Sequence, residues 1–310
     1  MHDASRSVES VAAFVRRVRP GMPARHGTLT LVPLLSDASG PDVVSLPQAI
    51  VLGTAEVTEV GEAGSVPELQ VTNRGAKALL ILDGEHLVGA KQNRVVNVTI
   101  LVAAGATVSI PVSCVEAGRW SWRSRSFATH DTMLNASLRG AKAARVHASV
   151  VRGAGYDADQ SAVWSEVGAY AARRHTKSQT GAITDVFERD RKAIDEYVAA
   201  LPVQPGQSGL AAFVQDRFVA LDVLGRPEVY VTVHERWVRA LAADALDTGG
   251  REPGHAEQTL DQVLAALQRA RGDESRPPGL GTDLRLRAER LCGSALVSDG
   301  AVVHLAAFPA

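Results

Sequence analysis

Leu79 to Trp120, LLILDGEHLVGAKQNRVVNVTILVAAGATVSIPVSCVEAGRW, is the densest run of strand-forming residues in the chain and constrains the fold more than any other stretch. Leu79–Leu82 is a short apolar run ended by Asp83-Gly84. That length and that stop suit a strand buried on both faces better than a helix. Val95–Val102 is rich in β-branched residues, which fit a pleated surface. Thr107–Val112 alternates, with Val108, Ile110 and Val112 on one face and Thr107 and Ser109 on the other, the pattern of a half-buried strand. Pro111 lacks an N–H, which predicts an edge strand or a bulge. The pattern is an antiparallel meander, hence a sandwich or barrel.

Two polar clusters interrupt these strands, Glu85–Arg94 (EHLVGAKQNR) and Ser113–Trp120 (SCVEAGRW). Each follows a buried strand and so rests on a rigid support, where binding residues are often found. Turn chemistry accounts for any one of these residues. Lys, Gln, Asn, Arg, Cys, Glu and Trp gathered this densely exceed what a solvated loop tip needs.

At 310 residues the chain suggests two domains. Its 33 basic and 34 acidic residues leave a net charge of -1, which argues against nucleic acid or an anionic membrane as an obligate partner. The 2 cysteines, Cys114 and Cys292, form neither a disulfide framework nor a Cys-rich metal site, and a reducing cytoplasm is the expected setting. No signal-peptide core and no stretch long enough to span a bilayer is apparent. Val8, Val11, Ala12, Val15 and Val18 share one helical face near the start, which predicts a helix docked on its own domain and stopped by Pro20-Gly21.

The reading along the chain is α+β. An N-terminal antiparallel β-sandwich-like domain over 1–127 includes the opening helix and strands at Gly27–Leu35 and within Gln48–Val60. A helix-rich α+β domain over 128–310 follows. Leu138–Val151 and the stretch from Asp157 or Asp159 to Arg174 are helical. Thr180 caps a third helix, and helices run to about 201. Gly209–Leu224 reads as a hairpin. Pro227 starts a helix with Val231, Val238, Leu241 and Leu246 on its buried side. Asp247–Gly254 is a loop, Leu260–Leu267 a helix, and Leu284–Ala306 a set of terminal strands.

Several chemistries fit the polar clusters. Glu85 and Glu116 can work as an acid–base pair or be held in ion pairs with Lys91, Arg94 or Arg119. Cys114 is a nucleophile if a neighbouring charge lowers its pKa, with His86 or His130 as base, or else a small buried apolar residue. Trp120 and Trp122 form an aromatic wall for a planar ligand or a hydrophobic plug. His304 reads as a satisfied structural histidine. No metal-ligand spacing, phosphate-cradling glycine loop or nucleophile elbow is present.

Leu82–Arg94 and Ile110–Trp120 resemble the bacterial family of ARG and rhodanese-phosphatase-superfamily-associated proteins. Thr180–Val186, Gly209–Leu224 and Gly293–Phe308 are similar to it as well. The resemblance implies a role near ADP-ribose or NAD metabolism, with no agreed reaction and no known cofactor. It carries over Asp83, Gly84, Glu85, Gly89, Lys91, Gln92, Asn93, Arg94, Cys114, Glu116, Arg119 and Trp120 as a functional surface. Three readings follow. In the first, Lys91, Gln92, Asn93, Arg94, Arg119 and Trp120 bind a nucleotide or phosphorylated sugar of ADP-ribose type. In the second, a hydrolase uses Glu85 or Glu116, with Cys114, on a nucleotide-sugar bond. In the third, the helices dock partner proteins. The first two require the two polar clusters to share one hollow.

Overall fold

The computed structural model describes residues 4–37, 40–247 and 258–310. The expected loop at Asp247–Gly254 therefore lies, beyond Asp247, outside the described residues. The chain is α+β with largely antiparallel sheets.

The six-stranded sheet has the order Phe127–Thr129, His86–Gly89, Arg94–Val96, Thr107–Cys114, Glu68–Asn73, Ala55–Glu59. Its two edges meet at an isolated bridge between Thr58 and Ser126, so it curls into a nearly closed barrel in place of two stacked sheets. Val57, Leu69, Val71, Leu87, Val96, Ile110, Val112 and Phe127 belong to its core. A small sheet of Ile100–Val102, Ala78–Ile81 and Val43–Ser45 shares that core.

Three local expectations change here. Residues 46–51 form a helix, with Pro47 in its first turn, and only Ala55–Glu59 continues as strand. The β-branched run divides into Arg94–Val96 and Ile100–Val102, which enter different sheets. Pro111 is not on an edge strand. It sits where Thr107–Cys114 passes from Glu68–Asn73 to Arg94–Val96, so its missing N–H falls at a change of partner.

The nine-stranded sheet draws on both halves of the chain. Leu29–Leu35 pairs with Gln207–Val214, followed by Arg217–Leu224, Ala301–Pro309, Leu291–Ser298, Thr282–Ala288 and Arg271–Ser275. Helices Ala4–Arg17 and Leu260–Gln268 cover one face through Val11, Phe14, Val15, Val263 and Leu267. Ala136–Val151, Gln160–Arg173, Arg191–Ala200 and His234–Leu246 contribute to the core on the other side. The helix begun by Pro227 ends at Val231, which is exposed, and a second begins at His234.

The N-terminus of Ala136–Val151 is capped from a distance. Asp244 accepts hydrogen bonds from the Ala136 and Ser137 amides at 2.5 and 3.1 Å. A carboxylate there satisfies orphan donors and meets the positive end of the helix. Thr180 caps no helix, because the next one starts at Thr184 after Ile183.

Candidate functional site

The barrel strands bring the two polar clusters together at Glu116. Its carboxylate accepts from Arg119 Nε at 3.0 Å and Nη2 at 2.7 Å, from the Asn93 amide at 3.0 Å and from Thr180 Oγ1 at 2.9 Å. Gln92 Nε2 donates to the Glu116 carbonyl. Arg119 also donates to the carbonyls of Gly89, Ala90 and Ser121. Burial alone would raise the Glu116 pKa, but Arg119, Asn93 and Thr180 outweigh it and hold the carboxyl below its ordinary range. Glu116 and Arg119 therefore act as a staple between the clusters, with every oxygen of the carboxylate already engaged.

Beside the staple lies a less complete arrangement. Arg94 is fully buried at the start of its strand, and its Nη1 donates to the carbonyl and side chain of Gln92. Its Nε and Nη2 have no hydrogen-bond partner. The nearest carboxylate, Glu59, stands 3.9 Å away, and Glu59 Oε2 is also unpartnered. Trp120 covers Arg94 at 5.4 Å from the guanidinium carbon, and Lys91 Nζ lies 5.5 and 5.0 Å from the Trp120 and Trp122 rings. Both tryptophans are about half exposed (47% and 50%), so they wall the outer face and do not plug the barrel. Lys91 Nζ donates to the carbonyls of Glu62 and Ala63, both at 2.6 Å, which holds the turn over the site.

Cys114 is buried near Arg94 and Glu59. Burial pushes its thiol up to about 11, with Arg94 opposing. A thiol so protonated is a poor nucleophile at neutral pH.

Glu85 goes elsewhere. It leaves the other cluster residues and pairs with Arg236, 151 positions along the chain. Arg236 donates also to the His130 carbonyl, at 2.9 Å from Nε and 2.7 Å from Nη2. The His86 ring lies 5.0 Å from that of His130 and has no partner for either nitrogen. Burial, then His130 and Arg236, pull the His86 pKa well below the ordinary value. The two clusters are therefore only partly brought together: Glu85 pairs with Arg236, whereas Gln92, Asn93 and Arg94 gather with Glu116, Arg119 and Trp120.

A third group escaped notice in the sequence. Lys142 and Arg139 both donate to Asp83, Arg139 at 3.2 Å. Arg139 grips Asp222 through two bonds of 2.8 and 2.6 Å. Thr99 Oγ1 accepts from the Asp83 amide at 3.1 Å and lies 2.8 Å from His304 Nδ1, while His304 Nε2 is 3.0 Å from Asp222. His304 is a satisfied structural histidine. Asp222 in the apolar strand FVALDVL was a signal available from sequence, since an acid inside such a strand needs a partner.

A family model described as the ARG and Rhodanese-Phosphatase-superfamily-associated Protein domain matches residues 17–308. The chain belongs to this family. No curated protein and no solved structure matches it. In this family member, Asp83 and Gly84 serve the interior network: a Cβ on Gly84, at φ +82°, would meet Arg139 Cδ at 2.7 Å. Among the described residues no set of three His, Cys, Asp or Glu is placed to hold a metal ion, and no helix is long and apolar enough to cross a membrane.

Proposed function

We propose that the protein binds a small molecule carrying a phosphate, of nucleotide or ADP-ribose type, against Lys91, Arg94, Trp120 and Trp122. The observation that carries this reading is the pair of unpartnered nitrogens on fully buried Arg94 beneath an exposed tryptophan. Buried donors left unmade cost about 1–3 kcal/mol each, so such a group is retained where something else completes it. A guanidinium fork matches phosphate oxygens, and the indole faces suit a base. Lys91 would exchange the Glu62 and Ala63 carbonyls for phosphate, freeing the turn above the site. Arg119, Gln92 and Asn93 would shape the site from below through Glu116. ADP-ribose is the first ligand to try because the sequence resemblance implies a role near ADP-ribose or NAD metabolism.

Hydrolysis of a nucleotide-sugar bond by Glu116 and Cys114 has less support, because the carboxylate is saturated and the thiol is protonated. Titration calorimetry with ADP-ribose, NAD and AMP, read beside tryptophan fluorescence, tests the binding reading. Saturable heat with quenching, both lost in Trp120→Ala and Arg94→Met, is the expected result. Silence from all three ligands at concentrations that detect micromolar binding removes it.

A further inference from the structure

A second concavity lies away from the tryptophans. It has a volume of about 380 Å³ and is lined by Thr129, His130, Asp131, Thr232, Arg236 and Arg239, among others. That size falls within the range that small-metabolite sites occupy, roughly 300–1,000 Å³. Its floor is unusual. Arg236 is buried and is held by Glu85 and the His130 carbonyl, which fix its guanidinium, yet its Nη1 has no partner. Behind it stands His86, 1% exposed and with both ring nitrogens unpartnered.

His130 supplies the second polar group. Its Nδ1 meets the Thr132 amide at 3.0 Å and the Asp131 carboxylate at 3.2 Å, and with the amide donating to it the neutral ring carries its proton on Nε2. The nearest acid to Nε2, Glu188, is 3.9 Å away, too far for a hydrogen bond. Burial lowers the His130 pKa against the pull of Asp131, which favours the neutral donor at neutral pH.

The acids around the concavity are largely spoken for. Glu85 is paired with Arg236, Asp131 and Glu188 share Arg191 at 2.7 and 2.5 Å, and Asp195 is paired with Arg239 at 2.6 Å. Glu235 is exposed, where solvent screens its charge.

We propose that this concavity is a second binding site, for a small oxyanion, carboxylate or phosphate, held by Arg236 and Arg239 with His130 donating from Nε2. The oxyanion completes the orphan valence of Arg236, whose charge Glu85 already balances, and takes its second charge-assisted contact from Arg239. Glu235 opposes it weakly from the lining. The site is independent of the tryptophan face, which shares none of these residues.

Calorimetry at low salt with inorganic phosphate and, separately, succinate as probes tests the proposal and tells the two oxyanion classes apart. One saturable site for at least one probe is expected, unchanged in Trp120→Ala. His130→Asn and Arg239→Gln are each expected to weaken it about tenfold, the loss of one charge-assisted or neutral hydrogen bond. Glu235→Gln, which removes a repelling charge, is expected to tighten it. Thermal unfolding of the variants checks that each remains folded, and Glu235→Gln keeps the test open if either of the others does not. Absence of saturable binding to both probes overturns the proposal. So does affinity that is unchanged in His130→Asn and Arg239→Gln, or weakened in Glu235→Gln.

Discussion

The interior network around Asp83 and the cluster around Arg94 use similar residues and finish them differently. In the first, Asp83, Asp222 and Asp283 meet Arg139, Lys142 and Arg285, with Thr99 and His304 completing the hydrogen bonds. In the second, Arg94 and Glu59 stand 3.9 Å apart and both keep unpartnered atoms. Six of the eleven unpartnered buried side-chain atoms among the described residues belong to Glu59, Arg94, His86 and Arg236. Burial is common to both groups, so burial alone does not separate glue from site. Saturation does: a finished network joins the barrel, the helix Ala136–Val151 and the large sheet, while an unfinished one retains capacity for a ligand.

The sharpest way to break this comparison is to open the finished network. Arg139→Ala takes the two-bond partner from Asp222 and one of two cations from Asp83, and a loss of about 3–5 kcal/mol is expected in urea unfolding, as for a buried ion pair deprived of one partner. A loss near zero would mean that the network does not hold the sheets together.

Acid should act on the same network. Burial would raise Asp222, but Arg139 and His304 outweigh it and hold its folded pKa below 3.8. Asp83 is lowered likewise by Lys142 and Arg139 against burial. A depressed carboxyl contributes its full stability above the unfolded pKa and loses it as pH falls through the folded one. Urea midpoints should therefore drop steeply below about pH 4, near the ordinary carboxyl value, and Asp222→Asn should flatten that limb while lowering stability at pH 7.

His86 gives a milder effect in another pH window. Its folded pKa lies well below 6.5, so the unfolded state takes up the proton first. Stability should fall as pH drops below 6.5, by up to about 1.4 kcal/mol per pH unit for this one group. His86→Phe should reduce that slope, leaving the share of the likewise depressed His130, His147 and His234. An unchanged slope would assign it to another group.

At the unfinished cluster, the effect on stability should be small. Arg94→Met combined with Glu59→Gln replaces the buried, half-satisfied pair without leaving a lone charge, and a change within about 1 kcal/mol is expected in the same unfolding assay. A large loss would make Arg94 part of the framework and weaken the contrast between the two clusters. Cys114, with its thiol pushed up to about 11, should resist alkylation at pH 8 until the protein unfolds.

Much of the local structure was legible. The docked opening helix, the strands at Leu79–Leu82 and Thr107–Cys114, the hairpin in Gly209–Leu224 and the terminal strands follow from periodicity and turn residues. The helix at Leu46–Val51 was missed because six residues show too little period to outweigh apolar composition. The meeting of Glu85–Arg94 with Ser113–Trp120 was half legible: Gln92, Asn93, Glu116 and Arg119 do converge, whereas Glu85 turns to Arg236. Arg139 and Lys142 could be placed on a helix, but periodicity names a face and never the acid that face will meet.

The sequence by itself determined which segments form strands, where turns fall and which tips carry polar side chains, since these depend on neighbours within a few residues. Only the tertiary structure decided which charges are finished and which are left open. Each partnership, such as Asp222 with Arg139 or Glu85 with Arg236, joins residues far apart in the chain. A buried charge is defined by what surrounds it in space, and local sequence carries no record of that surrounding.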